Sequence, residues 1–136
     1  METLKAGCYL LDKNNMKIGL IYREKLNDYS FPKGHLENLE SLMQCAIRET
    51  AEETKRDCII VDGIPPIIDR YTTPKGEQCV CYMFVAVDIG KSDNDSLDTH
   101  ELIWVDIDKV ESILSYDDFK KHWLIAKEKI LEYVKD

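Results

Sequence analysis

No apolar run in this chain approaches the roughly eighteen residues that a membrane-spanning helix requires. Met1-Glu2-Thr3-Leu4-Lys5 leads into strand-like sequence and not into the basic-then-apolar pattern of a secretion signal, so a cytoplasmic location is expected. Positive charge is short: 18 Lys and Arg stand against 26 Asp and Glu, a formal net charge of -8. A general nucleic-acid binder needs a basic face to displace counterions, and that class is excluded. The five cysteines (Cys8, Cys45, Cys58, Cys79 and Cys81) show neither CxxC nor a paired zinc spacing. They read as free, buried thiols of a reducing compartment. Internal repeats, low-complexity tracts and linker-like stretches are missing too. A chain of 136 residues then suits one domain, residues 1–136, with a single core.

What is present alternates strand and turn signals. Residues 4–11 are mostly apolar, Asp12-Lys13-Asn14-Asn15 supplies turn residues, and Met16, Ile18, Leu20 and Tyr22 then alternate, which predicts a β-hairpin. Tyr29-Ser30-Phe31 reads as a short strand stopped by Pro32, and a loop is expected over 33–39. A helix follows over about 41–54, with Met43, Ile47, Thr50, Ala51 and Thr54 on its inner face. Strands are expected at 58–61, 67–72, 78–87 and 102–105, the second and third paired around a Thr73-Pro74-Lys75-Gly76 turn. The polar stretch 90–98 reads as a mobile loop. Two helices close the chain, one around 109–114 started by Asp106 or Asp108, the other capped by Ser115 with Asp118 three residues on. Phe119, Trp123, Ala126 or Lys127, Ile130 and Val134 form its core stripe, and His122 beside Trp123 reads as structural. This order suits an α/β protein with a mixed sheet between helices.

The densest chemistry lies in GHLENLESLMQCAIRETAEE, which runs from Gly34 to Glu53. At about 100° per residue, Glu49, Glu52 and Glu53 share roughly a third of the helix circumference. Like charges so placed repel by a few tenths of a kcal/mol per pair, and a helix built for solubility would intersperse lysines. Arg48 is the cation on that side, so the face is suited to divalent metal held through oxygen ligands.

This spacing resembles the Nudix box, G-x5-E-x7-R-E-U-x-E-E-x-G-U with U an apolar residue. Gly34, Glu40, Arg48, Glu49, Glu52 and Glu53 match in register, whereas Thr50, Lys55 and Arg56 depart from the pattern. The missing glycine normally ends the helix in a left-handed conformation. Either Lys55 adopts that conformation at a cost of about 1 kcal/mol, or the helix continues to about Asp57. Neither outcome removes a carboxylate.

The resemblance implies the α/β/α sandwich of the Nudix fold and hydrolysis of a nucleoside diphosphate linked to another group, by attack of water with Mg²⁺ or Mn²⁺. Carried over, Glu49, Glu52, Glu53 and the Lys33 carbonyl are the expected metal ligands. Arg48 would orient a box carboxylate, and Glu40 would be structural or a weak outer ligand. The general base stays open between Glu49 and Glu52, with Glu101 as a later carboxylate of the kind some relatives use and Asp98 as its rival. Tyr29-Ser30-Phe31-Pro32-Lys33-Gly34-His35 resembles the W-x-F-P-K-G-H entry of diadenosine polyphosphate hydrolases, with tyrosine for tryptophan. Lys33 and His35 are therefore expected at phosphate, His100 is a further candidate, and Tyr71 or Tyr82 is expected to stack a base. The first substrate expectation is a dinucleoside polyphosphate such as diadenosine tetraphosphate, giving ATP and AMP. A MutT-like nucleoside triphosphate pyrophosphohydrolase is the alternative, and a non-catalytic nucleotide sensor the alternative of another class. The partner is thus a small nucleotide and neither nucleic acid nor membrane, with the chain a monomer or homodimer.

Overall fold

The computed structural model describes residues 1–135. Two long strands form the spine of its sheet. β1 (Thr3–Asp12) and β7 (Gln78–Lys91) run parallel, in register from Thr3 opposite Cys79 to Leu11 opposite Val87. Each spine strand shares its other edge between two partners. β1 pairs near its end with β2 (Lys17–Arg23) and near its start with β4 (Lys33–His35). β7 pairs with β6 (Ile67–Thr72) and then β5 (Arg56–Ile60). β3 (Asp28–Ser30) and β8 (Glu101–Asp106) complete the sheet on β2, and every pairing outside the spine is antiparallel.

Alternation along the spine divides the core between the two faces. Tyr9 and Leu11, with Cys81, Met83 and Val85, face α3 (Asp117–Val134), which buries Trp123, Ala126 and Ile130 against them. Ala6, Cys8 and Leu10, with Phe84 and Ala86, face α1 (Leu42–Thr54). The small residues Ala6 and Cys8 let α1 approach closely through Cys45 and Ala46. The result is the expected α/β/α arrangement. α2 (Val110–Ile113), preceded by one 3₁₀ turn at Ile107–Lys109, leads from β8 into α3. Among the described residues no helix is long and apolar enough to cross a membrane.

The hairpin, the box helix, the 73–76 turn and the α3 core stripe stand where expected. Four details differ. The segment 33–35 is a strand, because β1 offers it a free edge. Met43 is half exposed while Cys45 and Ala46 are buried, since the small side chains and not the long one set the contact with the sheet. α3 starts at Asp117 without a side-chain cap. Tyr116 holds its start instead, by donating its hydroxyl to Asp28 Oδ2 at 2.9 Å. The stretch 92–99 is tied down: Ser92 N–H donates to Lys55 O (2.9 Å) and Thr99 Oγ1 to Glu52 O (3.1 Å).

α1 itself opens with a capping box, in which Ser41 Oγ accepts from Gln44 N–H and Gln44 Oε1 accepts from Ser41 N–H. It closes at Lys55, left-handed at φ 60° and ψ 32°, so the first of the two alternatives for the missing glycine holds.

Candidate active site

β4 and α1 face each other across the site. Cys8 N–H donates to Pro32 O and Leu36 N–H to Leu4 O, so by alternation the amide and carbonyl of Lys33 turn away from β1. The Lys33 N–H accordingly reaches Glu53 Oε1 at 2.8 Å. Gly34 lies against Glu49: a Cβ there would fall 1.5 Å from Glu49 Oε2. That contact explains the glycine of the box by space and not by a turn.

Arg48 holds the carboxylates in place. Its Nε and Nη2 grip Glu40 (2.6 and 3.0 Å), Nη1 reaches Glu49 Oε1 (3.2 Å) and Glu52 Oε1 (3.0 Å), and Nη2 also donates to His35 O at 2.9 Å. Glu40 is thereby a clamp on Arg48 and not a free ligand. One guanidinium does not balance Glu40, Glu49, Glu52 and Glu53. Burial, reinforced by Glu52 and Glu53, pushes the Glu49 carboxyl up to about 8, and burial pushes Glu53 up to about 7. Among the described residues no three carboxylate, imidazole or thiol side chains enclose an ion-sized space, and Arg48 and the Lys33 amide engage several of these oxygens. The donor set nonetheless fits a hard divalent cation. It is all oxygen, Arg48 balances its charge only in part, and the Gly34 cradle brings a backbone strand alongside it.

Next to the carboxylates, on the α3 face of the sheet, opens a cleft of about 570 Å³. It is lined by the cations Lys5, Arg23 and Lys33, by Tyr71, Tyr116 and Phe119, and by Asp69 and Asp118. Lys33 joins the two halves, its amide on Glu53 and its Nζ on Ser30 Oγ (3.0 Å) and over the Phe119 ring (4.7 Å). Burial lowers the pKa of that ammonium. Arg23 is fixed by a two-pronged pair with Asp28, 2.7 Å in each arm.

The expected site residues separate on this map. Arg48, Glu49, Glu52, Glu53 and Lys33 come together, and Tyr71 lines the cleft with Lys5 5.5 Å from its ring. Tyr82 does not: it lies on the opposite, α1 face of the sheet. His35 points from β4 toward Glu77 (3.8 Å) and is mostly exposed. Glu101 sits exposed in a side hollow with Tyr22, Glu24, Thr99 and His100, while His100 Nε2 approaches Glu53 Oε2 to 3.8 Å. Asp98 is exposed on the preceding stretch. His122 is bound to α3 through Asp118 O and faces Asp69 at 3.7 Å. Lys5, Arg23, Tyr116 and Phe119 also line the cleft and were not expected there. Alternation could have placed Lys5 on the face of Tyr9, but the partners of Arg23 and Phe119 come from tertiary packing.

The model of the NUDIX domain matches residues 1–127. The chain belongs to the Nudix family. Among curated relatives it is 30% identical over 107 residues to an 8-oxo-(d)GTP phosphatase of Mycolicibacterium smegmatis, covering 78% of this chain and 32% of that protein. This Nudix chain thus spans about a third of the length of that relative. Solved Nudix structures superpose over nearly all of it. The binary complex of a C. elegans Ap4A hydrolase gives a TM-score of 0.76 at 20% identity, covering 96% of this chain and 98% of that one. A NUDIX hydrolase from Nitrosomonas europaea gives 0.74 at 19% identity, covering 96% and 90%. At these identities the likeness speaks for the fold.

Proposed function

We propose that this Nudix chain hydrolyses a phosphoanhydride bond of a nucleotide polyphosphate lying in the α3-face cleft. The observation that carries the reading is Lys33, which touches the carboxylate face through its amide and lines the cationic, aromatic cleft through its side chain. Glu49, Glu52, Glu53 and the Lys33 carbonyl would hold Mg²⁺ or Mn²⁺. When bound, the metal supplies charge neutralisation for the phosphates and a water of lowered pKa. Everything else is work for the chain's own groups. Lys5, Arg23 and Lys33 draw the phosphate chain toward the carboxylates, Tyr71 and Phe119 offer ring faces to a base, and Arg48 keeps the glutamates aligned before substrate arrives. Either Glu49 or Glu52 serves as the base.

Three cations along one cleft favour a long phosphate chain, and a dinucleoside polyphosphate such as diadenosine tetraphosphate, giving ATP and AMP, is the first substrate proposed. The Ap4A hydrolase among the superposable structures supports it through fold alone. A nucleoside triphosphate, oxidised or not, is the second, favoured by the 8-oxo-(d)GTP phosphatase relative. Incubating the chain with Mg²⁺ and a panel of dinucleoside polyphosphates, nucleoside triphosphates and nucleotide sugars, with products separated by chromatography, decides between them. ATP plus AMP from diadenosine tetraphosphate supports the first substrate, and a nucleoside monophosphate from a triphosphate the second. Retained binding without cleavage of any member would replace both with a nucleotide sensor.

A further inference from the structure

Lys55 stands where the box has glycine, and its side chain crosses to the segment between β7 and β8. Its Nζ donates to Asn94 O at 2.8 Å and to Ser96 O at 2.6 Å. The same segment closes over the free carbonyls at the end of α1. Ser92 N–H reaches Lys55 O (2.9 Å), Thr99 Oγ1 reaches Glu52 O (3.1 Å), and His100 N–H reaches Glu53 O (2.9 Å). Residues 92–98 stiffen their own turns as well: Asn94 N–H is held by Ser92 Oγ, Ser96 N–H by Asn94 Oδ1, and Asp98 N–H by Ser96 Oγ. The last turn of a helix leaves carbonyls without partners, and a cation beside them is favourable. A glycine at 55 would supply the left-handed geometry but no ammonium.

We infer that Lys55 is a positioning residue: it straps residues 92–100 across the end of α1 and so holds the His100 imidazole beside Glu53 at the rim of the carboxylate face. The distance from His100 Nε2 to Glu53 Oε2, 3.8 Å, is ion-pair range and too long for a direct hydrogen bond. Glu53 Oε1 is already taken by the Lys33 amide, so the strap stations its imidazole at the remaining oxygen. Substituting the box glycine thus exchanges local backbone ease for an external tie that assembles one wall of the site. This inference rests on the carboxylate face being the metal site of a hydrolase.

Two readouts on the full chain need no turnover. Hydrogen exchange at the amides of Asp93 to Asp98 should quicken at least about tenfold in Lys55→Gly and stay near wild type in Lys55→Arg, with the α1 amides unchanged in both. Added Mn²⁺ should broaden the His100 ring resonances in wild type and Lys55→Arg, and clearly less in Lys55→Gly. A third readout uses the nucleotide substrate. Lys55→Gly and His100→Ala should each lower kcat about fivefold with little change in KM, and the double variant should fall no further than either single one. Unchanged exchange in Lys55→Gly, equal Mn²⁺ broadening, or multiplicative losses in the double variant would overturn the inference. If exchange and broadening behave as stated while wild type cleaves no nucleotide, the strap stands and the hydrolase reading falls.

Discussion

Gly34 shows how one missing side chain can serve a site without any special backbone angle. Its neighbour across the gap is the carboxylate end of Glu49, a flexible group, so Gly34→Ala should fold with a stability change within about 1 kcal/mol. The methyl nevertheless occupies the position of Glu49 Oε2, and Glu49 has to turn out of the face. Turnover of the nucleotide substrate should drop at least tenfold, about 1.4 kcal/mol of transition-state stabilisation. Thermal melts and steady-state rates on the same preparation check both halves, and wild-type rates in a stably folded variant would refute the cradle. At this scale the sequence was legible where covalent spacing alone decides geometry. Glu49, Glu52 and Glu53 had to share a helical face once the helix existed. Residue type and nearness in sequence did not say where Tyr82 and Glu101 would stand, because neither tells which face of a strand a side chain takes. Pairing of β7 with β1 decides that for Tyr82.

Among the elements, α3 owes its position to more than its apolar stripe. Tyr116 at its start and Arg23 at the end of β2 both end on Asp28, which is buried. Burial alone would raise the Asp28 carboxyl, but the Arg23 fork and the Tyr116 hydroxyl outweigh it and hold the group below the usual carboxylate range. A depressed folded value means the stabilisation is complete above the unfolded pKa, about 3.9, and is lost as pH falls through the folded value. The stability advantage of wild type over Asp28→Asn should therefore be constant from about pH 5 upward and shrink below about pH 4. Tyr116→Phe, which removes one of the bonds to the charged group, should cost about 1.5 kcal/mol at pH 7 and less in acid. Urea unfolding across that pH range measures both, and a wild-type-minus-Asp28→Asn difference that does not change with pH would remove Asp28 from the account. This joint was not visible in sequence. Ser115-x-x-Asp118 had the form of a cap, yet tertiary contact with β3 fixed the helix start one residue further on.

The whole molecule carries its acidity unevenly. A net charge of -8 is spread over 136 residues, but the half-buried carboxylates of α1 concentrate repulsion that the Arg48 guanidinium only partly answers. Long-range pairing buries that concentration. The parallel spine joins residues 3–11 to 79–87, and it brings β4, the box helix and the 92–100 segment around one end of the sheet. Alternating strands announced a mixed sheet, but alternation does not name a strand's partner, so the cleft over Lys5, Arg23 and Phe119 was not legible. A ligand that binds the folded chain and not the unfolded one stabilises it by RT ln(1 + [L]/Kd), about 2.7 kcal/mol at a hundredfold excess over Kd. For a domain of this size that is a rise in Tm of about 10 °C. Mg²⁺ or Mn²⁺ should give it, and NaCl of equal ionic strength should not, because general screening acts on all surface charges alike. The double variant Glu52→Gln/Glu53→Gln should start with a Tm at or above that of the metal-free wild type, since it loses repulsion, and should then respond little to either cation. Its turnover should fall at least a hundredfold. An equal rise in the variant would place the metal away from α1 and undo the assignment of the carboxylate face.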